Sequence, residues 1–230
     1  MMTAPQKHFN WDKLMADKDP SDFLVSKELW GDGQDVDNLT RQKYYSSLYN
    51  LSTGEKIKVL EVGFGSGLDF NHLKTNGWLN KIEYFGVDVT EKFVEHAKKF
   101  YPEMKAEKID GYQLPYMDSV FNVVYCRHVL EHQTDYRPLL SEMMRVSKEY
   151  IFITLFIPTT TSDFDIMHFD GTWQHNYYSY KMFKDFVINH KNFKIVHAES
   201  FTSYIEDFKQ SQEVFILKKS EPDLPSLAQL

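Results

Sequence analysis

The chain has 230 residues, 42% hydrophobic and 26% charged, and its 33 acids against 26 Lys and Arg give a formal charge of -7. This length supports one well-buried domain with accessory elements. An acidic chain whose Lys and Arg are scattered among acids lacks the basic stripe that long nucleic acids require. No apolar run reaches bilayer-spanning length and the first twenty residues have no signal-peptide core, so a cytoplasmic protein with no membrane contact is expected.

Residues 1–50 are polar and aromatic, and they are expected to form a helical cap belonging to the same domain as residues 51–220. From Lys56 onward, short β-branched runs alternate with stretches of helical period, as in βαβ units with a parallel sheet. Strands are predicted over 56–63, 81–89, a segment ending at Asp110, 121–127 and 150–157. Between the second and third, Thr90 is the predicted N-cap of a helix with Phe93, Ala97 and Phe100 on one face. The single Cys126 sits in the apolar fourth strand and reads as a core residue rather than a nucleophile. After that strand, Leu139, Met143 and Val146 recur at helical spacing, with Pro138 in the first turn.

Residues from about 158 to 176 follow neither period and read as an insertion. A helix over 177–190 is predicted next, then the strands "FKIVHAES" and "QEVFILKK". The segment joining those two is too short for a crossover helix, so an antiparallel pair is expected. Residues 221–230 read as a flexible tail.

The stretch "KVLEVGFGSGLDF" turns a strand sharply into a helix through Gly63, Gly65 and Gly67. Glycines there let a ligand approach backbone that a Cβ would block, and the helix start offers unpaired N–H groups. The dinucleotide fingerprint G-x-G-x-x-G would need a glycine where Leu68 stands, and Glu61 just before the corner would repel a pyrophosphate. An acid at that place suits a ligand with a cationic head group. Asp88 and Asp110 end the next two strands, where ligands of open α/β sheets bind. Asp88 lies about 20 residues past the corner, the offset for ribose hydroxyls, and Asp110 could accept from a purine amine.

Together these segments resemble the class I S-adenosylmethionine-dependent methyltransferases, in particular their small-molecule branch. "VLEVGFGSG" is similar to the first motif, "YFGVDVTEKFVEHAKK" to the second, "IDGYQLPYMDSVFNVVYCRHVLEH" to the third and fourth, and "LLSEMMRVSKEYIFITL" to the helix and fifth strand. The fold the resemblance implies is α/β: a Rossmann-like, seven-stranded, mostly parallel sheet with an antiparallel last strand, helices on both faces and an N-terminal helical cap. It implies S-adenosyl-L-methionine as cofactor and S-adenosyl-L-homocysteine as product. Gly63, Phe64, Gly65 and Gly67 would surround the aminoacyl part and ribose, with Glu61 near the ammonium. Asp88 would bind the ribose diol, Val89 would lie against adenine, Asp110 would take the adenine amine, Gly111 and Tyr112 would flank the ring, and the Arg127 backbone would lie near the methionine moiety. Departures from the family pattern are Asn122 in place of an aspartate, no glycine pair before the fifth strand, and the insertion after it.

Methyl transfer from a sulfonium depends chiefly on positioning, and a hydroxyl acceptor also needs a base. "RHVLEHQ" follows the fourth strand and supplies His132 as the first candidate base, with His128 beside it. His175 and His168, in "MHFDGTWQHNYY", are further candidates. If that stretch were helical, His128, Glu131 and His132 would share a face in the H-x-x-E-H order of inverted zinc peptidases. A milder form is the divalent-metal site of quinone-biosynthesis and small-RNA methyltransferases, which have Glu where His128 stands. The expectation is an enzyme without a metal that methylates oxygen or nitrogen of a small molecule, in a pocket lined by Trp11, Trp30, Trp173, Tyr177 and Tyr178. The alternatives are a non-catalytic cofactor-binding subunit and a metal-assisted enzyme acting on a sugar or nucleotide hydroxyl.

Overall fold

A computed structural model describes residues 11–20, 34–51, 54–169, 174–190, 192–205 and 208–220. Among the described residues, two N-terminal helices, α1 (Trp11–Leu14) and α2 (Gln34–Leu51), precede the alternating part of the chain. There β1 (Ile57–Val62), α3 (Leu68–Thr75), β2 (Ile82–Asp88), α4 (Glu91–Phe100), β3 (Lys105–Lys108), β4 (Phe121–Arg127), α5 (Tyr136–Val146) and β5 (Ser147–Leu155) follow one another. The insertion, α6 (Tyr180–Ile188), β6 (Phe193–Ile205) and β7 (Phe208–Lys219) complete the order.

The seven strands form one sheet in the order β3-β2-β1-β4-β5-β7-β6. The first five are mutually parallel, whereas β7 runs antiparallel to both β5 and β6. The order reverses between β1 and β4, so the C-terminal ends of those strands open a crevice at a switch point. The expected fold is the one observed.

Side chains alternate across the strands and divide the core in two. Val59, Tyr84, Tyr125 and Phe152 pack on one face beneath α2, α3 and α4. Leu60, Val124, Cys126 and Ile153 pack on the other beneath α5 and α6. Continuous apolar runs in β1, β4 and β5 follow from burial on both faces. No helix among the described residues is long and apolar enough to cross a membrane.

Several expected details shift. Phe100 is 51% exposed, because α4 buries Phe93, Val94 and Ala97 and the last turn leaves that face. Thr90 is the N-cap residue, but its hydroxyl makes no bond to the helix. β3 stops at Lys108, two residues before Asp110, and β5 begins at Ser147, where its pairing to Phe121 starts. The helix expected from 177 starts at Tyr180, capped by the Ser179 hydroxyl accepting from Met182 N–H, since Tyr177 is bridged to Ile166 in the insertion. Asn122 accepts from the Lys58 N–H at 2.9 Å and ties β1 to β4. The tail 221–230, Trp30 and Trp173 lie outside the described residues.

Candidate functional site

A cavity opens over the C-terminal ends of β1, β2 and β4. Its floor is the glycine corner. Gly63 and Gly65 adopt φ of +77° and +55°, a region L side chains rarely visit. A Cβ on Gly63 would strike Val129 at 2.3 Å, whereas one on Gly65 would meet nothing within 4 Å. Gly65 therefore leaves open space in a wall of the cavity. Gly67 does not line it: a Cβ there would press on the Tyr101 ring at 3.0 Å, so this glycine serves close packing of α3 instead.

The remaining residues expected around a cofactor, Glu61, Phe64, Asp88, Val89, Asp110, Gly111, Tyr112 and Arg127, all line the cavity. Asp88 is buried, and its two carboxylate oxygens accept the Gly65 N–H at 2.9 Å and the Thr90 N–H at 2.8 Å. Burial raises its pKa, and those two main-chain bonds oppose the rise. Each oxygen retains a second lone pair for a ligand hydroxyl. Asp110 accepts the Tyr112 N–H at 3.0 Å, and the Tyr112 hydroxyl bridges Gln133 and the Asp135 carbonyl.

Glu61 is 2% exposed, and its Oε2 has no hydrogen-bond partner. Burial first, and the neighbouring Asp69 charge next, push its carboxyl well above the usual range. Beside it lies a cluster that the sequence reading missed. Arg41, on α2, lines the cavity and approaches Asp69 at 3.4 Å and Asp37 at 3.6 Å. The Arg127 side chain donates to Asp37 at 2.7 Å and to Thr40 at 3.0 Å. Burial pushes Asp37 up most strongly of any one cause, but the charges of Arg127, His128 and Arg41 and the Gln212 hydrogen bond together outweigh it and hold the carboxyl down at about 2. The only hint available was the placement of Asp37 and Arg41 at i and i+4 in an otherwise unremarkable polar stretch.

The turn after β4 carries the histidines. His128 has φ of +54°, and only Leu130–His132 form a single 3₁₀ turn. The left-handed residue breaks any continuous helix, so His128, Glu131 and His132 do not share a face. Glu131 points instead toward the β5 exit and accepts the Phe156 N–H at 2.5 Å. No three metal-binding side chains converge among the described residues, and the H-x-x-E-H reading is corrected on that geometry.

His128 and His132 both line the cavity. The His132 Nδ1 lies 2.8 Å from the Gln174 carbonyl, so Nδ1 carries the proton and Nε2 is the basic nitrogen of the neutral ring. Burial lowers its pKa to about 4. The Trp11 ring meets His132 edge-on at 5.0 Å. His175 is not on the cavity wall but stands behind His132, its ring centroid 5.4 Å away. His168 is exposed and packs against Tyr177, outside the site. Tyr177 is also turned outward, and Tyr178 is 2% exposed in the core, where its hydroxyl donates to the Leu130 and Gln133 carbonyls. Of the expected aromatic lining, Trp11 alone among the described residues reaches the cavity.

Residues 60–151 match the family model described as a methyltransferase domain. The chain is 32% identical over 97 residues to an uncharacterized methyltransferase, YcgJ, of Bacillus subtilis (strain 168), a match covering 40% of this chain and 37% of that protein. It is 31% identical over 103 residues to the mitochondrial ubiquinone biosynthesis O-methyltransferase of Saccharomyces cerevisiae, covering 42% of this chain and 31% of that protein. The aligned part thus spans about a third of the length of the curated relatives it matches. Among solved structures, the 1,6-didemethyltoxoflavin-N1-methyltransferase of Burkholderia thailandensis, with bound 1,6-didemethyltoxoflavin and S-adenosylhomocysteine, superposes with a TM-score of 0.59. That likeness covers 96% of this chain and 94% of that one at 17% identity, and it shows the fold. Over residues 60–151 the chain is therefore similar to a methyltransferase domain, carried on the fold of solved methyltransferases.

Proposed function

We propose that the protein transfers the methyl group of S-adenosyl-L-methionine to an oxygen or nitrogen of a small-molecule acceptor. The observation that carries this is the pairing, in one cavity, of two nucleoside-reading acids with the Arg41 guanidinium and the buried Glu61 carboxyl at the other end. Asp88 and Asp110 suit a ribose diol and an adenine amine, with Val89, Gly111 and Tyr112 beside the ring. Glu61, with an orphaned buried oxygen, suits an ammonium, and Arg41 beside it suits a carboxylate. A zwitterionic amino acid joined to a nucleoside needs this set, and a dinucleotide does not.

When bound, the cofactor supplies a sulfonium that makes its methyl carbon electrophilic. The chain's own work is to hold that ligand at both ends, to keep water out with Trp11 over the cavity, and to present His132 Nε2 where an acceptor proton must leave. A neutral imidazole is ready to accept at any pH well above 4. A cytoplasmic setting, with no long nucleic acid and no membrane as partner, belongs to the same proposal, resting on the acidic, single-cysteine composition.

Isothermal calorimetry tests the cofactor assignment. Micromolar binding of S-adenosylmethionine and S-adenosylhomocysteine, and none of NADH, is expected. Asp88→Ala should cost about 1.5 to 3 kcal/mol of that affinity, the worth of hydrogen bonds to a charged acceptor. The reverse preference, for NADH, would sink the proposal.

A further inference from the structure

Two carboxyls line the end of the cavity that suits the amino acid. Glu61 lies near the end of β1 and Asp69 in the first turn of α3, and they are 2% and 5% exposed. Their surroundings differ. Asp69 accepts the Tyr45 hydroxyl at 2.9 Å and has the Arg41 Nε 3.4 Å away, and a donor with a nearby cation favours the ionised form. Glu61 has no such support: its buried Oε2 has no hydrogen-bond partner, and Arg127 is paired with Asp37. We infer that Glu61 keeps its proton in the ligand-free protein and releases it when the ligand's ammonium comes to lie against Glu61 and Asp69, so that cofactor binding expels a proton and strengthens with pH. The inference rests on the cofactor reading of the same site and goes further by naming how binding there is regulated.

A buried carboxylate that lacks a donor and stands beside a second carboxylate is costly to ionise. An arriving ammonium removes both costs, because it brings N–H donors and a positive charge into the same desolvated space. The groups around Glu61 act in that sense. Burial first, then Asp69 on α3 and more weakly Asp88 on β2, push its carboxyl up, and Arg127 on β4 and Arg41 on α2 pull it down without prevailing. Tyr44 on α2 and Tyr125 and Cys126 on β4 also face it, and burial pushes all three up, so they stay neutral. Asp88 is not the group that changes. Its oxygens already hold the Gly65 and Thr90 N–H groups, and the diol it suits carries no charge.

The step balances as a proton transfer. The O–H bond of the Glu61 carboxyl breaks, the proton passes to the buffer, and the freed oxygen accepts an ammonium N–H.

The test is calorimetry of S-adenosylhomocysteine binding to the full chain at about pH 6, where an α-amino group is almost fully protonated. Runs in phosphate and in bis-Tris, which differ in ionisation enthalpy, should give heats that differ by the release of about one proton. Glu61→Gln, which keeps the shape of the protonated acid, should bind more weakly and release none. Methylthioadenosine, which lacks the amino acid, should bind with no proton released. Wild-type affinity for S-adenosylhomocysteine should fall with falling pH by up to about ten-fold per unit, and that for methylthioadenosine should stay flat. Asp69→Asn should move the fall to lower pH, because a repelling charge is gone. Equal heats in the two buffers with S-adenosylhomocysteine bound, or the same release from Glu61→Gln, would overturn the inference, and a fall unmoved in Asp69→Asn would remove Asp69 from it. Absence of S-adenosylhomocysteine binding at every pH counts against the parent reading instead.

Discussion

At His132 burial sets the protonation state. Taking the ring out of water disfavours the imidazolium, the Gln174 carbonyl works against that, and His175 adds a smaller push in the same direction as burial, leaving a pKa of about 4. The folded value is therefore below the ordinary 6.5. As pH falls from about 6.5 toward 4 the unfolded chain takes up a proton that the folded chain refuses, so stability drops across that window, by roughly 3 kcal/mol over its full extent. The same shift keeps Nε2 available as a base well into the acid range. Following the His132 ring protons by NMR should show a midpoint near 4. A midpoint near 6.5 would mean that water reaches the ring, and the tautomer assigned from Gln174 would lose its support.

At the scale of elements, the decisive piece is α2, which carries Asp37, Thr40 and Arg41 to strands far along the chain. Arg127, its side chain 5% exposed, ends β4 and depends on Asp37 for its counter-charge, with Gln212 of β7 donating to the same carboxylate. Asp37→Asn would leave a buried guanidinium short of its ion partner, and should cost about 3 kcal/mol in chemical denaturation; a loss below about 1 kcal/mol would show that water already screens the pair. This cluster also marks where sequence reading ran out. The glycine corner, Asp88 and Asp110 were legible because each sits within a few residues of a strand end whose period is strong. Asp37 and Arg127 are 90 residues apart, and no local pattern joins them. The same limit misplaced Phe100, whose helical spacing is right but whose turn overruns the sheet, and Tyr178, an aromatic in an irregular stretch whose hydroxyl is taken by two carbonyls of the β4 exit turn. The H-x-x-E-H spacing failed for a backbone reason, since His128 in the left-handed region cannot continue a helix.

For the molecule as a whole, α2 joins two tasks, because the side of the helix that delivers Arg41 to the cavity adjoins the side that closes the core. Tyr44 is fully buried, stacked on Tyr125 at 3.7 Å and 10° and edge-on to Phe152 at 5.5 Å. Those two partners lie on β4 and β5, the strands whose ends shape the cavity, so the helix is held in register with the site by aromatic packing and by the Arg127 network independently. The Tyr44 hydroxyl contributes nothing to this, as it is buried without a hydrogen-bond partner, and an unpaired buried hydroxyl costs free energy. Two substitutions at one position therefore separate packing from polarity. Tyr44→Phe should leave stability unchanged or raise it by up to about 1 kcal/mol. Tyr44→Ala should cost about 4 kcal/mol through the lost ring and the cavity left behind, and should weaken cofactor binding along with it, because Arg41 rides on the same helix. If Tyr44→Ala unfolded at lower temperature yet bound S-adenosylmethionine with full affinity, the helix would be a cover for the core and not a wall of the site, and Arg41 would have to be withdrawn from the cofactor's carboxylate.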